Sequence, residues 1–335
     1  MGRPRWSTSR TRLATSSSWG TVPGSGPVVV VHGGAWDIPT ARLGEHREGM
    51  ERALRLAARA VERGASALKI AEESVIALEN HPAFDAGRGS VLDRDGAVQL
   101  DAGLMDGPSL RWGAVAGVRA LPNPIRAARA VLNAAGQARL LVAEGAERFA
   151  AEVGLPAVDP SALVVERERE RFERMRAYEA EHPRATVSGE MDVPRGTVGC
   201  VVRDHEGRLA AATSTGGAPL TRPGRVGDSP IPGAGYFADA TAAASATGWG
   251  EAILTAGLAR DAVGRVATGT PAGQAAQSAL DRMSELVRWP GASRATGGLI
   301  IVDADGHAGW AFTTPRMARG AWRPGGEIWT AVDAA

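Results

Sequence analysis

Three hairpin signatures constrain this chain more than any other feature. Ser90–Leu92 and Ala97–Asp101 flank Arg94-Asp95-Gly96. Gly199–Arg203 and Arg208–Ser214 flank Asp204-His205-Glu206-Gly207, and Gly298–Val302 and His307–Thr313 flank Asp303–Gly306. Each sets apolar arms on either side of a short acid-and-glycine turn, the local chemistry of an antiparallel strand pair. Between them lie Ala/Leu/Glu/Arg-rich stretches with helical spacing: Ala41–Arg63, Ser66–Asn80, Pro122–Phe149 with a break near Gly136, Ala238–Gly264 broken at Thr247-Gly248-Trp249-Gly250, and Pro271–Val287. Leu54, Ala57, Ala58 and Val61 fall on one helix face and predict core. Val28–Val31 reads as a buried strand. Hairpins alternating with helix pairs predict an antiparallel sheet in an α+β or layered α/β domain, and they argue against a doubly wound parallel sheet.

Composition narrows the function classes. With 335 residues, 44% hydrophobic and 22% charged, the chain is long enough for a sizeable core. Arg3, Arg5, Arg10 and Arg12, with no acid nearby, make residues 1–26 a basic tail, expected to be disordered. The net charge is +1, so the body is mildly acidic and gives no reason to expect nucleic acid as a partner. The single Cys200 excludes an intramolecular disulfide and a multi-cysteine metal site. The six histidines, His32, His46, His81, His182, His205 and His307, show no metal-ligand spacing. No apolar run approaches membrane-spanning length, and the N-terminus lacks a secretory pattern, so a cytoplasmic protein is expected.

Gly196-Thr197-Val198-Gly199 stands where a charged, Pro-interrupted segment (160–196) meets an apolar strand. A threonine hydroxyl needs a base within reach to act as a nucleophile. A backbone cut before Thr197 would supply one, because the new α-amine titrates near pH ~8. The hydroxyl can itself attack the Gly196 carbonyl to make that cut. On residue type alone the plainer reading, an ordinary threonine at the start of a strand, is the stronger one. Three other stretches have plain readings too. Glu166-Arg167-Glu168-Arg169-Glu170-Arg171, within Val165–Glu181, predicts a solvated surface helix. Asp101 and Asp106 read as turn acids. His32-Gly33-Gly34-Ala35 reads as a tight turn or as a loop lining a site. No G-x-S-x-G elbow accompanies it, which argues against an α/β-hydrolase.

Several stretches, in order, resemble one family. They are His32–Ala35, Phe84–Gly89, Leu100–Gly107, Gly196–Gly199, Ala212–Gly217, Arg225–Pro230 with Gly233–Gly235, Thr247-Gly248 with Gly250-Glu251, and Gly297–Ile300. Over roughly residues 27 to 322 the chain looks like the plant-type L-asparaginase/isoaspartyl peptidases, N-terminal nucleophile hydrolases made as precursors and cut in two. The resemblance implies a four-layer αββα sandwich, with residues 27–196 and 197–335 as the two halves of one domain. It implies that Thr197 is the nucleophile, tuned by the hydroxyl of Thr215, and that Gly196–Thr197 is the cleavage site. Arg225 and Asp228 would grip an α-carboxylate and an α-ammonium. Thr247 and Gly248 would hold the oxyanion, with Gly250 keeping the pocket open.

The implied reaction hydrolyses L-asparagine, N-terminal β-aspartyl peptides, or both, through a β-aspartyl ester. No cofactor is required. A structural sodium on backbone carbonyls of Leu78–Arg88 and a homodimer of cleaved precursors are further implications. Asp85 departs from the family's usual asparagine. A carboxylate there would hold the new amine protonated, unless Asp85 points away or is neutral. Trp249 either narrows substrate choice or packs outside the site. Two alternatives stay open: a glycosylasparaginase-type hydrolase, and an uncleaved homologue acting as a binding protein.

Overall fold

The computed structural model describes residues 26–181, 196–288 and 294–333. The basic tail to residue 25 and most of the expected linker, 182–195, lie outside the described residues. The chain runs β1 (Val28–Trp36), α1 (Leu43–Glu62), α2 (Ala67–Glu79), β2 (Leu100–Asp106), β3 (Arg111–Val118), α3 (Pro124–Asn133), β4 (Leu140–Val142), α4 (Ala143–Glu152) and α5 (Glu166–Glu181). It continues with β5 (Thr197–Arg203), β6 (Leu209–Thr215), β7 (Tyr236–Ala238), β8 (Ala242–Gly248), α6 (Gly250–Ala256), α7 (Leu258–Ala267), α8 (Ala272–Leu286), β9 (Gly297–Asp303), β10 (Ala308–Phe312), β11 (Arg316–Trp322) and β12 (Trp329–Asp333). Helices and sheets stack as a layered α/β fold.

An eight-stranded sheet has the order β12-β11-β1-β5-β6-β2-β3-β4, and a four-stranded sheet has the order β10-β9-β8-β7. All pairings are antiparallel except β3 with β4. Strand alternation separates the cores. Val29, Val31, Val198, Cys200 and Val202 face α1 and α2, packing with Leu54, Ala57 and Val61. Their neighbours Val28, Val30 and Val201 turn the other way and meet Ile300, Val302 and Tyr236 of the small sheet. The small sheet's far side packs on α6, α7 and α8 through Ala244, Ile253, Leu258 and Leu280. With a side-chain period of two, one register therefore serves two cores.

Four sequence expectations shift. The Ala-rich start of the expected helix Ala238–Gly264 is strand: β8 is wholly buried up to Thr247, and its small side chains let neighbouring layers close on it, overriding alanine's helix propensity. The hairpin expected at Ser90–Asp101 is only a turn, closed by Asp93 and Ala97, and the real hairpin is β2–β3. Pro122–Phe149 divides into α3 and α4 around β4. Finally, α5 is exposed over most of its surface, as expected, but its inner face is not solvated. It buries Glu168, Phe172 and Met175, and Glu168 takes hydrogen bonds from Arg167 Nε at 2.7 Å and Arg171 Nη1 at 2.6 Å. A buried carboxylate is tolerated when it is paired in this way.

Candidate active site

Thr197 opens β5, and its Cα partner across the ladder is Thr215, the last residue of β6. Directly opposed residues of antiparallel strands project to the same face. That face is the one between the sheets, since Val201 and Ala211, in step with the two threonines, belong to the inter-sheet core. The two hydroxyls therefore meet, and Thr197 Oγ1 donates to Thr215 Oγ1 at 3.2 Å. Thr215 Oγ1 also accepts from Gly217 N at 3.1 Å.

Behind this pair runs a buried polar chain that no spacing of residues along the chain foretells. His32, on β1, bonds through Nδ1 to the Thr197 carbonyl at 3.1 Å and through Nε2 to Ser245 Oγ at 2.9 Å. Ser245 Oγ lies 2.7 Å from Thr213 Oγ1, whose single proton is shared between Ser245 and the Gly235 carbonyl, 3.0 Å away. A carbonyl only accepts, so Nδ1 carries the proton and Nε2 accepts from Ser245. Burial keeps the ring neutral, pushing its pKa down to about 3 against the raising effect of the Thr197 bond. Gly199 makes the chain feasible: a Cβ there would lie 2.1 Å from Ser245 Oγ and 2.4 Å from His32 Nε2.

Two loops complete a small pocket over the threonine pair. The β6–β7 loop brings Gly217, Ala218, Arg225, Gly227, Asp228 and Ser229, and the β8–α6 junction brings Gly248, Trp249, Gly250 and Glu251. Arg225 donates from Nε and Nη2 to the two oxygens of Glu251, each at 3.0 Å. Burial works against its charge, but Glu251, Asp228 and Asp101 outweigh that and raise its pKa. Asp228 is buried, and its Oδ2 has no partner among the described residues. Burial raises its pKa to about 7, against the pull of Arg225.

Gly250 lies beneath both groups. A Cβ on it would stand 2.6 Å from Arg225 Nη2 and 2.9 Å from Asp228 Oδ1. Asp101 ties the loop down, accepting from Gly117 N at 2.8 Å and Gly227 N at 3.4 Å; it is a buried residue of β2 and not the turn acid expected. Gly248 lines the pocket at φ +132°, where a Cβ would meet Gly297 Cα at 2.4 Å. Thr247, directly before it, is fully buried. Trp249 lines the pocket rather than packing outside it.

Asp85 does not line this pocket. It lines a separate, narrow niche with Gly196, Arg42, His46, Arg167, Glu168 and Arg171. Its Oδ1 accepts from Val91 N at 2.9 Å, while Oδ2 has no partner among the described residues. Burial, assisted by Glu168, raises its pKa well above the usual carboxylate range. Burial thus disfavours the ionised form of Asp85, which stands beside Gly196. Nearby, the Leu78–Arg88 loop closes on itself, with Arg88 N donating to the Glu79 carbonyl at 2.8 Å. A Cβ on Gly87 would meet the Glu79 and Pro122 carbonyl oxygens at 2.7 and 2.8 Å.

Fold and site together define a layered α/β protein whose pocket offers one cation, Arg225, and two acids, Asp228 and the Arg225-bound Glu251, above a strand-end hydroxyl, a chemistry suited to a small molecule carrying both an ammonium and a carboxylate. The sequence matches the asparaginase family over residues 25–331, and the chain belongs to that family. It is 40% identical to the isoaspartyl peptidase/L-asparaginase of Bos taurus over 302 residues, 89% of this chain and 94% of the relative. It is 41% identical to the Mus musculus protein of the same name, covering 83% of this chain and 82% of the relative. Against the plant-type L-asparaginase of Pyrococcus furiosus it is 40% identical, covering 87% and 94%. Among the described residues no helix is long and apolar enough to cross a membrane.

Proposed function

We propose that this protein is an L-asparaginase and isoaspartyl peptidase that cuts itself before Thr197 and uses that residue as its nucleophile. The observation that carries the reading is the pair of hydroxyls, Thr197 and Thr215, 3.2 Å apart at the base of a pocket containing Arg225 and Asp228. In self-cleavage Thr197 Oγ attacks the Gly196 carbonyl, the acyl group moves from nitrogen to oxygen, and water hydrolyses the ester. The products are a chain ending at Gly196 and a chain beginning at Thr197, two halves of one domain. The freed amine, with an ordinary pKa near ~8, then serves as base for Thr197 Oγ.

In turnover, Arg225 takes the substrate α-carboxylate and Asp228 its α-ammonium, over the bare Cα of Gly250. That grip confines the reaction to L-asparagine and to N-terminal β-aspartyl units. Thr197 Oγ attacks the side-chain amide, and Thr247 and Gly248 stabilise the oxyanion. Ammonia or an amine leaves, and water releases L-aspartate from the β-aspartyl ester. Trp249 narrows the pocket, which supports small leaving groups over the sugar of a glycosylasparaginase. We extend the reading to the fold as a four-layer αββα sandwich of the N-terminal nucleophile type, and to cleaved precursors pairing as a homodimer. The carbonyl oxygens converging on Gly87 are hard donors that suit a structural sodium. No other cofactor enters.

A denaturing gel combined with three assays tests the proposal. Two bands splitting at Gly196, with turnover of L-asparagine or β-aspartyl-leucine exceeding that of N-acetylglucosaminyl-asparagine, are expected. A chain that stays single after long incubation would sink the mechanism and favour a binding protein.

A further inference from the structure

We propose that Glu251 is a positioning residue that keeps Arg225 off Asp228, so that both remain available to substrate; this rests on the reading of the pocket given above. Arg225 and Asp228 are opposite charges three residues apart that both reach over Gly250. Left alone, they would pair with each other, and each would cancel the other's use for a ligand. No ion pair joins them. Instead Glu251, on the first turn of α6, takes the Nε and Nη2 edge of the guanidinium with both carboxylate oxygens, each at 3.0 Å. A two-point contact fixes the plane of the fork, which a single bond would not do.

A guanidinium has five N–H groups. Glu251 uses two, and the other three, on Nη1 and Nη2, have no partner among the described residues. Those three are enough for a second carboxylate to bind end-on. Asp228 Oδ2 is likewise left without a partner. One acid thus orients the cation while the other is kept for an ammonium. The half-exposed Glu251 side chain sits on the rim of the pocket, beside Trp249, and Arg225 and Asp228 lie deeper.

The test is Glu251→Ala, with Glu251→Gln as the conservative variant, compared by KM and kcat for L-asparagine and by calorimetric Kd for L-aspartate. Removing the half-exposed partner of a bidentate pair whose cation is mostly buried predicts a rise of about tenfold in both KM and Kd for Glu251→Ala, with kcat held within about threefold. Glu251→Gln, which keeps one acceptor, falls between the two. Self-cleavage on a denaturing gel and the melting temperature serve as folding controls and stay near wild type. An unchanged or lower KM overturns the proposal, the latter meaning that Glu251 competes with substrate for Arg225. So does a loss of kcat and self-cleavage together, which marks a merely structural role. A wild-type chain that stays uncut and binds no L-aspartate sinks the proposed function instead.

Discussion

His32 holds the backbone carbonyl of Thr197 with its Nδ1 proton at 3.1 Å, although the two residues are far apart in sequence. The imidazole is fixed in turn by Ser245, from the opposite sheet, at 2.9 Å. The Thr197 backbone is thereby referenced to both sheets. Ser245→Ala removes the donor to His32 Nε2 and strands a buried acceptor. A cost of about 1–3 kcal/mol in urea denaturation is expected, with kcat falling and KM nearly unchanged. Full kcat in this variant would show that the chain of hydroxyls does not position Thr197.

Thr215→Val tests the second hydroxyl with little change of shape. The Thr197 hydroxyl loses its acceptor at 3.2 Å, and Gly217 N loses one at 3.1 Å. One lost hydrogen bond in the reacting state corresponds to about a tenfold drop in kcat. Thr197→Ala, by contrast, is expected to remain one chain on a denaturing gel and to show no turnover. Splitting at Gly196 in that variant would remove Thr197 from the role of attacking group.

How much of this was legible depended on whether the signal was local. Thr197 and Thr215 are joined by a turn, Asp204–Gly207, so their pairing follows from hairpin geometry. Asp228 and Arg225 are near in sequence, and Gly227 marks a shaped loop. The polar chain His32–Ser245–Thr213 joins three strands from two sheets, and no spacing in the sequence encodes it. Glu251 was visible only as part of a motif, because its use is set by where α6 begins. The strand β8 was misread because alanine carries a helix signal, whereas here burial on both faces decides its structure. The charge alternation of α5 likewise hid Glu168, whose burial depends on the two arginines that fold back onto it.

Asp85→Asn addresses the departure from the family's usual asparagine. The folded-state pKa of Asp85 is raised by burial, whereas the unfolded value is near ~3.9. Below about pH 4 both states are protonated and the substitution changes little. Above it the unfolded chain ionises Asp85 and the folded chain does not, so the wild type loses stability as pH rises through the folded pKa. Asparagine keeps an acceptor for Val91 N and does not titrate. Melting curves of the two proteins should coincide at low pH and separate at high pH, with the variant the more stable, and both should self-cleave. A wild type more stable than the variant at high pH would mean that Asp85 is held ionised.

Asp228 gives the enzyme an acidic limb of its own. Its pKa is pushed up to about 7, so below that value it is increasingly a neutral acid, and only above it does it offer the charge an α-ammonium requires. The Thr197 amine, ordinarily near ~8, must also be free base, so two groups lose function as pH falls. The acidic limb of kcat/KM for L-asparagine should therefore be steeper than a single ionisation allows, approaching about a hundredfold per pH unit where both are protonated. Asp228→Asn removes one of the two. Its kcat/KM at high pH should drop by at least about thirty-fold, because the ammonium loses a charged partner in a buried site, and its acidic limb should relax to about tenfold per unit. An Asp228→Asn profile as steep as the wild type's would assign that limb to another group and detach Asp228 from ammonium recognition.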